Sequence, residues 1–175
     1  MTANRPALTL AHATLDTPIG RLGLLATELG LAKVAFEHEL GDRLVLATAT
    51  ALGAQPVHQP ARLDTARRQL DQYFDRLRRV FDLKVDLGLS RGFARQVVKQ
   101  LVLLPYGRVV SYGRMAQLLG RPGAARAVGN ACGANPVPVV APCHRVIRSD
   151  GSLGGYGGRE AVKRALLELE GVKLA

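Results

Sequence analysis

The stretch SYGRMAQLLGRPGAARAVGNACGA, residues 111–134, decides the architecture. Ser111 is a good N-cap, since its hydroxyl can accept from a backbone N–H in the next turn, and a short helix to Leu119 follows. Gly120-Arg121-Pro122-Gly123 is a tight turn. Residues 124–134 predict a second short helix, rich in alanine and glycine, with Arg126 near its start. Helix, glycine-bearing turn and second helix make a helix-turn-helix candidate, although any helical hairpin in a bundle has the same spacing. Charge bears on that choice. Residues 88–149 hold Arg91, Arg95, Lys99, Arg108, Arg114, Arg121, Arg126, Arg145 and Arg148 and no Asp or Glu. A polyanion would be drawn to such a surface, and a solvated basic face is the plainer reading.

Upstream, residues 93–104 read as a helix by period, ended by Pro105-Tyr106-Gly107, and residues 88–92 read as a linker. The first third reads as strands at 7–14, 21–27 and 31–36. Asp16-Thr17-Pro18-Ile19-Gly20 and Glu28-Leu29-Gly30 lie between them as turns. Residues 41–60 begin as a possible helix and end in a loop carrying Pro56 and Pro60. Residues 62–80 predict a helix with Leu63, Ala66, Leu70, Tyr73, Phe74 and Leu77 on one face, and 83–87 a last strand. His12, His38 and His58 form no catalytic pattern.

Downstream, Pro136, Pro138 and Pro142 stiffen residues 135–147 and argue against a place in a central sheet. Residues 149–158 form a glycine loop. Residues 160–170 predict a last helix whose buried stripe is Ala161, Val162, Ala165, Leu166 and Leu169. The expected fold class is an α/β N-terminal domain (1–87), a small antiparallel sheet plus a helix, followed by a mostly α-helical C-terminal domain (88–175) with a helix-turn-helix.

With 175 residues, 47% of them hydrophobic and 22% charged, the chain suits a globular protein. No apolar stretch reaches the roughly 20 residues that span a bilayer, and residues 1–15 lack the pattern of a secretory signal. The expectation is a cytoplasmic monomer without a membrane partner. The net charge of +10 is uneven: 11 basic and 10 acidic residues fall in 1–87, 13 and 4 in 88–175. Two cysteines, Cys132 and Cys143, are too few for a disulfide scaffold or a zinc site of their own, so both are expected as free thiols.

Cys143 beside His144 is the clearest chemical hint. A free thiol is only a few per cent thiolate near neutral pH, and a neighbouring base or cationic surroundings raise that fraction. Adjacent residues of an extended chain point apart, so a direct contact needs a turn or a bridging water. A buried inert cysteine is the commoner case for such a residue, and a cysteine hydrolase is the rival chemistry.

Pro142-Cys143-His144-Arg145-Val146 resembles the signature of the O6-alkylguanine–DNA alkyltransferases, the methylated-DNA–protein-cysteine methyltransferases. Leu104-Pro105-Tyr106-Gly107, Ser111-Tyr112, Ala125-Arg126-Ala127-Val128-Gly129, Asn135-Pro136-Val137-Pro138 and Gly155-Tyr156-Gly157-Gly158 match in order and spacing. So does Leu166-Leu167-Glu168-Leu169-Glu170-Gly171. Thr17-Pro18-Ile19-Gly20 and Gln69-Leu70-Asp71-Gln72-Tyr73-Phe74 resemble the family's N-terminal domain.

The resemblance implies transfer of an alkyl group from O6-alkylguanine in double-stranded DNA, reached through the minor groove, to Cys143, once per molecule. It implies His144 as the base acting through a water and Glu170 as the group orienting it. Tyr112 resembles the tyrosine that protonates the departing guanine and helps rotate the nucleotide out. Arg126 resembles the arginine that fills the gap in the duplex, with Ala127 against the minor groove. Asn135 resembles the asparagine that pins the helix-turn-helix to the active-site segment. Pro138, Val146, Tyr156 and Gly157 resemble the walls of the guanine pocket, and Arg114 and Arg121 are further candidates for DNA contact. No cofactor and no metal are implied.

Three departures stand out. Val98 replaces a tryptophan of many relatives, and the zinc-ligating cysteines of some relatives' N-terminal domains are missing. Arg159 stands where relatives often have another glycine, which stiffens the loop or brings a cation to phosphate. Relatives that lack the cysteine bind lesions without catalysis, so a non-catalytic alkylated-DNA binding protein is the alternative function. A helix-turn-helix transcription factor is a second, but it needs several base-reading side chains, and residues 124–134 offer only Arg126 and Asn130.

Overall fold

The computed structural model describes residues 7–173. The chain divides into two units. One holds the residues up to Asp71 together with Asp82–Leu89, and the other holds Gln72–Phe81 together with the residues from Ser90 onward. A single cut after Leu87 therefore misses an exchange: Gln72–Phe81 groups with the second unit, where the Tyr73 hydroxyl bonds Glu170 at 2.7 Å.

The first unit is built on a sheet of order β3-β2-β1-β4. β1 (Thr9–Thr17) pairs antiparallel with β2 (Gly20–Thr27) through the turn Pro18-Ile19, with Thr17 opposite Gly20. The Thr17 hydroxyl fastens that turn, donating to the Gly20 carbonyl at 2.6 Å and accepting from the Ile19 amide at 3.2 Å. β3 (Gly30–Phe36) continues antiparallel. Helix α1 (Asp42–Leu52) realises the helical half of the ambiguous stretch 41–60. Its Leu44, Val45, Ala49 and Leu52 pack on Leu10 and Leu25.

The fourth strand departs from the sequence reading. β4 (Gln55–Val57) pairs parallel with β1, so the sheet carries one parallel edge strand. It is short and holds Pro56, which lacks a ladder donor and is tolerated only at an edge. The predicted strand at 83–87 is a single bridge, Leu31 with Val85, flanked by backbone bonds between Leu31 and its neighbours Lys84 and Asp86. Asp86 turns inward instead, bonding the Thr27 hydroxyl at 2.5 Å and the Gly88 amide at 2.8 Å.

Helix α2 (Asp64–Phe74) ends well before Val80. Arg76 takes the left-handed conformation at φ 61, and the amides of Arg76 and Leu77 bond the carbonyls of Tyr73 and Gln72. That crossed pair is a helix-terminating motif usually built on glycine. Leu77 consequently leaves the apolar face and is exposed.

The second unit is mostly helical: α3 (Gly92–Leu101), α4 (Tyr112–Leu118), α5 (Ala125–Gly133) and α6 (Glu160–Leu169). α5 packs on both α3 and α4. Ser111 caps α4 as expected, its hydroxyl accepting from the Arg114 amide at 3.0 Å. Val128 and Ala131 of α5 point inward, while Arg126 and Ala127 lie exposed on its outer side. β5 (Val110–Ser111) runs parallel to β6 (Val146–Ile147), a pairing that the proline-rich reading of 135–147 leaves out. No helix among the described residues is long and apolar enough to cross a membrane.

Candidate active site

The β5–β6 pair sets the site's frame. The turn Cys143–Arg145, a single 3-10 turn, leads straight into β6, and Tyr112 opens α4 directly after β5. Before the turn, Val139 sits at φ 73, where a β-branched residue is strained by about 1–3 kcal/mol. Hydrogen bonds hold it there. The Ala141 amide donates to the Val137 carbonyl at 2.8 Å, and Asn135 Nδ2 donates to the Ala141 carbonyl at 2.7 Å. The same Asn135 nitrogen donates to Cys143 Sγ at 3.1 Å, and Tyr156 also acts on the sulfur electrostatically. Cys143 is 4% exposed and His144 0%.

Burial pushes the Cys143 thiol up in pKa, against the bond from Asn135 and the influence of Tyr156, which pull it down. The resting sulfur is therefore a thiol. Burial likewise holds the His144 pKa below its ordinary 6.5, although Glu170 opposes this. The resting imidazole is therefore neutral, the form that can take a proton. Its Nε2 meets Glu170 Oε1 at 2.8 Å, which assigns the ring proton to Nε2. Nδ1 is buried and has no hydrogen-bond partner among the described residues.

Glu170 is the hub. Arg145 grips it with Nε at 2.9 Å and Nη2 at 2.8 Å, and the Gly107 amide donates at 3.0 Å. Burial raises its pKa, but the bonds from His144 and Arg145 and the Arg145 charge win, leaving it well below the usual carboxylate range. Arg145 also donates to the Leu104 carbonyl at 2.5 Å.

On the other side of the turn lies Lys163, fully buried. Its ammonium donates to the carbonyls of Val146 at 2.7 Å and Leu153 at 2.5 Å, and reaches the Tyr112 hydroxyl at 3.4 Å. Burial raises the Tyr112 pKa to about 12, so it holds its proton. The glycine loop lies on this phenol. A Cβ on Gly154 would stand 2.9 Å from the Tyr112 hydroxyl, so no side chain fits there.

Comparison with known proteins then decides the family. Residues 92–172 match the family model described as 6-O-methylguanine DNA methyltransferase, DNA binding domain, and residues 10–87 match its ribonuclease-like domain. The methylated-DNA–protein-cysteine methyltransferase of Mycobacterium tuberculosis is 41% identical, over 91% of this chain and 91% of that one. The chain belongs to the methylated-DNA–protein-cysteine methyltransferase family. The human methyltransferase of that name is 37% identical over 94% of this chain and 82% of its own. A crystal structure of Mycobacterium tuberculosis OGT in complex with DNA superposes with a TM-score of 0.76 at 39% identity, covering 91% of this chain and 92% of that one. The fold class inferred from sequence, an α/β unit and then a helical unit, is that of these methyltransferases.

Of the candidate residues in this methyltransferase, Cys143, Asn135 and Tyr156 meet at the sulfur, and His144 meets Glu170. Tyr112 joins them through Lys163 and the Val146 carbonyl. Pro138 is buried, and Gly157 is exposed at φ 61. Arg114, Arg121, Arg126 and Ala127 are exposed on the helix-turn-helix. Arg121 stacks over the Phe93 ring at 5.3 Å, and Arg114 bonds Gln117 at 3.2 Å. Among the described residues no cluster of three His, Cys, Asp or Glu side chains could hold a metal ion.

Sequence reasoning missed Lys163, Arg145 and Tyr73. The predicted stripe of α6 is a correction: Ala161 and Ala165 are exposed, and the buried positions are Lys163, Leu166, Leu167 and Glu170. These follow a helical spacing, but two of the four are charged, so an apolar pattern cannot find them.

Proposed function

We propose that this protein repairs DNA by direct reversal. Cys143 takes the alkyl group from O6-alkylguanine in double-stranded DNA, once per molecule, and ends as a thioether. The observation that carries the proposal is the buried constellation of a protonated thiol, a neutral imidazole whose Nδ1 is left to accept, and a carboxylate fixing the other nitrogen. This is nucleophile, base and orienter, serving displacement at an alkyl carbon.

The step balances without a cofactor. The Cys143 proton passes to His144 Nδ1 through an intervening water, and Sγ attacks the alkyl carbon. The carbon–O6 bond breaks, and its electron pair goes to the guanine, which takes a proton from Tyr112. Lys163 stands beside the phenol oxygen to offset the charge that forms there. The thioether lies off the reversible thiol–disulfide ladder, so the protein is consumed.

The alkyl group lies inside the base stack, and extrusion costs a few kcal/mol. The exposed Arg126 and Ala127 suit entry from the minor groove, with Arg126 filling the gap, while Arg114 and Arg121 meet the backbone. We propose action as a monomer in the cytoplasm, at the nucleoid when bound to DNA, and leave O4-alkylthymine as a second substrate to test.

The test is incubation with excess duplex containing O6-methylguanine, followed by digestion and quantification of the bases. Restored guanine should plateau at one equivalent per protein. Continued turnover would contradict the suicide mechanism, and tight binding without loss of the lesion would make the protein a non-catalytic binder.

A further inference from the structure

Helix α5 carries one polar side chain that the proposed reaction does not use. Val128 and Ala131 turn inward, and Gly129 lies against the Tyr112 ring, where a Cβ would stand 3.9 Å from it. The outward residues are Arg126, Ala127, Asn130, Gly133 and Ala134. Each of the others lies three or four residues from Asn130, so the five share one face. A Cβ on Gly133 would meet nothing within 4 Å, so none of the described residues covers that end of the face. The Asn130 side chain is exposed and hydrogen-bonds none of the described residues.

Its chemistry differs from that of its surroundings. Residues 88–149 hold no Asp or Glu, and the Lys and Arg side chains there are donors only. Asn130 Oδ1 is therefore the side-chain acceptor on the outer face of α5. In the minor groove A·T and T·A pairs show only acceptors, and the N2 amine of guanine adds the one donor. A face of small residues laid in that groove strips water from the amine, and a donor left without an acceptor is costly. Asn130 Oδ1 is placed to take the water's role. At about 1.5 Å of rise per residue, Asn130 stands about 6 Å along the helix from Arg126, or about two base-pair steps of 3.4 Å.

We propose that Asn130 is a specificity-determining residue that reads a base pair within two steps of the lesion, accepting from the N2 amine of a guanine in the minor groove. Repair is then faster where a G·C pair lies at that place. The inference rests on the proposed reading of α5 as the minor-groove element with Arg126 as its wedge. Arg126 cannot make this distinction, because it offers donors only and the acceptors that it meets are present in every pair. The amide takes no part in bond exchange at Cys143. It acts before transfer, on the duplex that must be held while the alkylated base leaves the stack.

The experiment uses duplexes with O6-methylguanine in which one neighbouring position is varied at a time, out to two pairs on either side. Each position holds in turn G·C, inosine·C, which lacks only the N2 amine, A·T, and 2,6-diaminopurine·T, which adds that amine. Second-order transfer rates are taken for the parent, Asn130→Ala and Asn130→Asp. At one position the parent should favour the amine about fivefold in both base contexts. The preference should vanish in Asn130→Ala. Asn130→Asp should keep it, since it keeps the acceptor oxygen, while its charge slows repair of every duplex. Each ratio is taken within one protein, so differences in active fraction cancel. A ratio in Asn130→Ala equal to the parent's, or its loss in Asn130→Asp, would overturn the inference. A 7-deazaguanine duplex removes the N7 acceptor of the major groove and leaves the amine. A rate lost there, and not with inosine, would put α5 in the major groove and overturn the minor-groove reading as well. No preference at any position, with methyl transfer intact, overturns the role of Asn130 alone. Absence of methyl transfer in the parent overturns the acceptor reading and this inference with it.

Discussion

Glu170→Gln keeps the shape of the side chain and removes its charge. Oε1 accepts from the Tyr73 hydroxyl at 2.7 Å, from His144 Nε2 at 2.8 Å and from Arg145 Nη2 at 2.8 Å. Oε2 accepts from Arg145 Nε at 2.9 Å and the Gly107 amide at 3.0 Å. An amide can be turned either way, and in both its NH2 group faces donors. At least two hydrogen bonds are lost, and Arg145, 5% exposed, loses its counter-charge. Breaking a buried pair by removing one partner costs about 3–5 kcal/mol, so urea unfolding should show a loss of that size. Alkyl transfer should slow about 100-fold, because the Nε2 tautomer of His144 loses its anchor. Glu168→Gln is the control: Glu168 is exposed, and surface changes stay within about 0.5 kcal/mol. The parent's stability should also fall in acid. Glu170 is depressed in the folded state, so its contribution is complete above its ordinary 4.5 and is lost as pH falls from there towards the folded value. His144 acts in the same direction below 6.5, where the unfolded chain takes a proton that the folded one resists. A Glu170→Gln protein within about 1 kcal/mol of the parent and equally fast would refute the hub.

Arg126→Ala should weaken repair in duplex DNA far more than reaction with free O6-benzylguanine, since a wedge matters only when a base must leave a stack; equal losses would remove that role. DNA affinity, measured by fluorescence anisotropy, should fall steeply with salt, each neutralised phosphate adding about −0.9 to the slope of log K against log salt. Charge reversal at Lys99, Arg114 and Arg121 in turn should locate the face, and a flat salt response would contradict it. Single-turnover transfer should be flat through neutrality and decline on the acid side only below pH 6.5, because His144 is depressed from that value. An acid limb centred above 7 would mean that a different group is the base.

The helix-turn-helix was legible in residues 111–134 because its signals are local: a serine cap, a glycine turn and alanine-rich helices. β4 and β6 were not, because each is two or three residues long and depends on a distant partner, β1 or β5. The end of α2 escaped because Arg76 takes a left-handed cap normally marked by glycine. At the site, the Pro142–Val146 pentapeptide singled out Cys143 and His144 as the proposed nucleophile and base, and the family resemblance singled out Glu170. Lys163 left no mark, since a lysine in a helix reads as solvent-facing. It is buried only because the carbonyls of Val146 and Leu153, remote in sequence, converge on its ammonium. Arg145 lay inside the signature but had no role until the Glu170 hub gave it one.

The central claim is that Cys143 is the acceptor. Intact mass spectrometry after incubation with duplex O6-methylguanine, followed by peptide mapping, tests it directly. Cys132 provides an internal control: it lies on α5, and burial raises its thiol to about 12, with no base assigned to it. The account predicts one methyl group in place of one proton, on Cys143 alone, at one equivalent per protein. A methyl group on Cys132, or unmodified protein alongside repaired DNA, would contradict it.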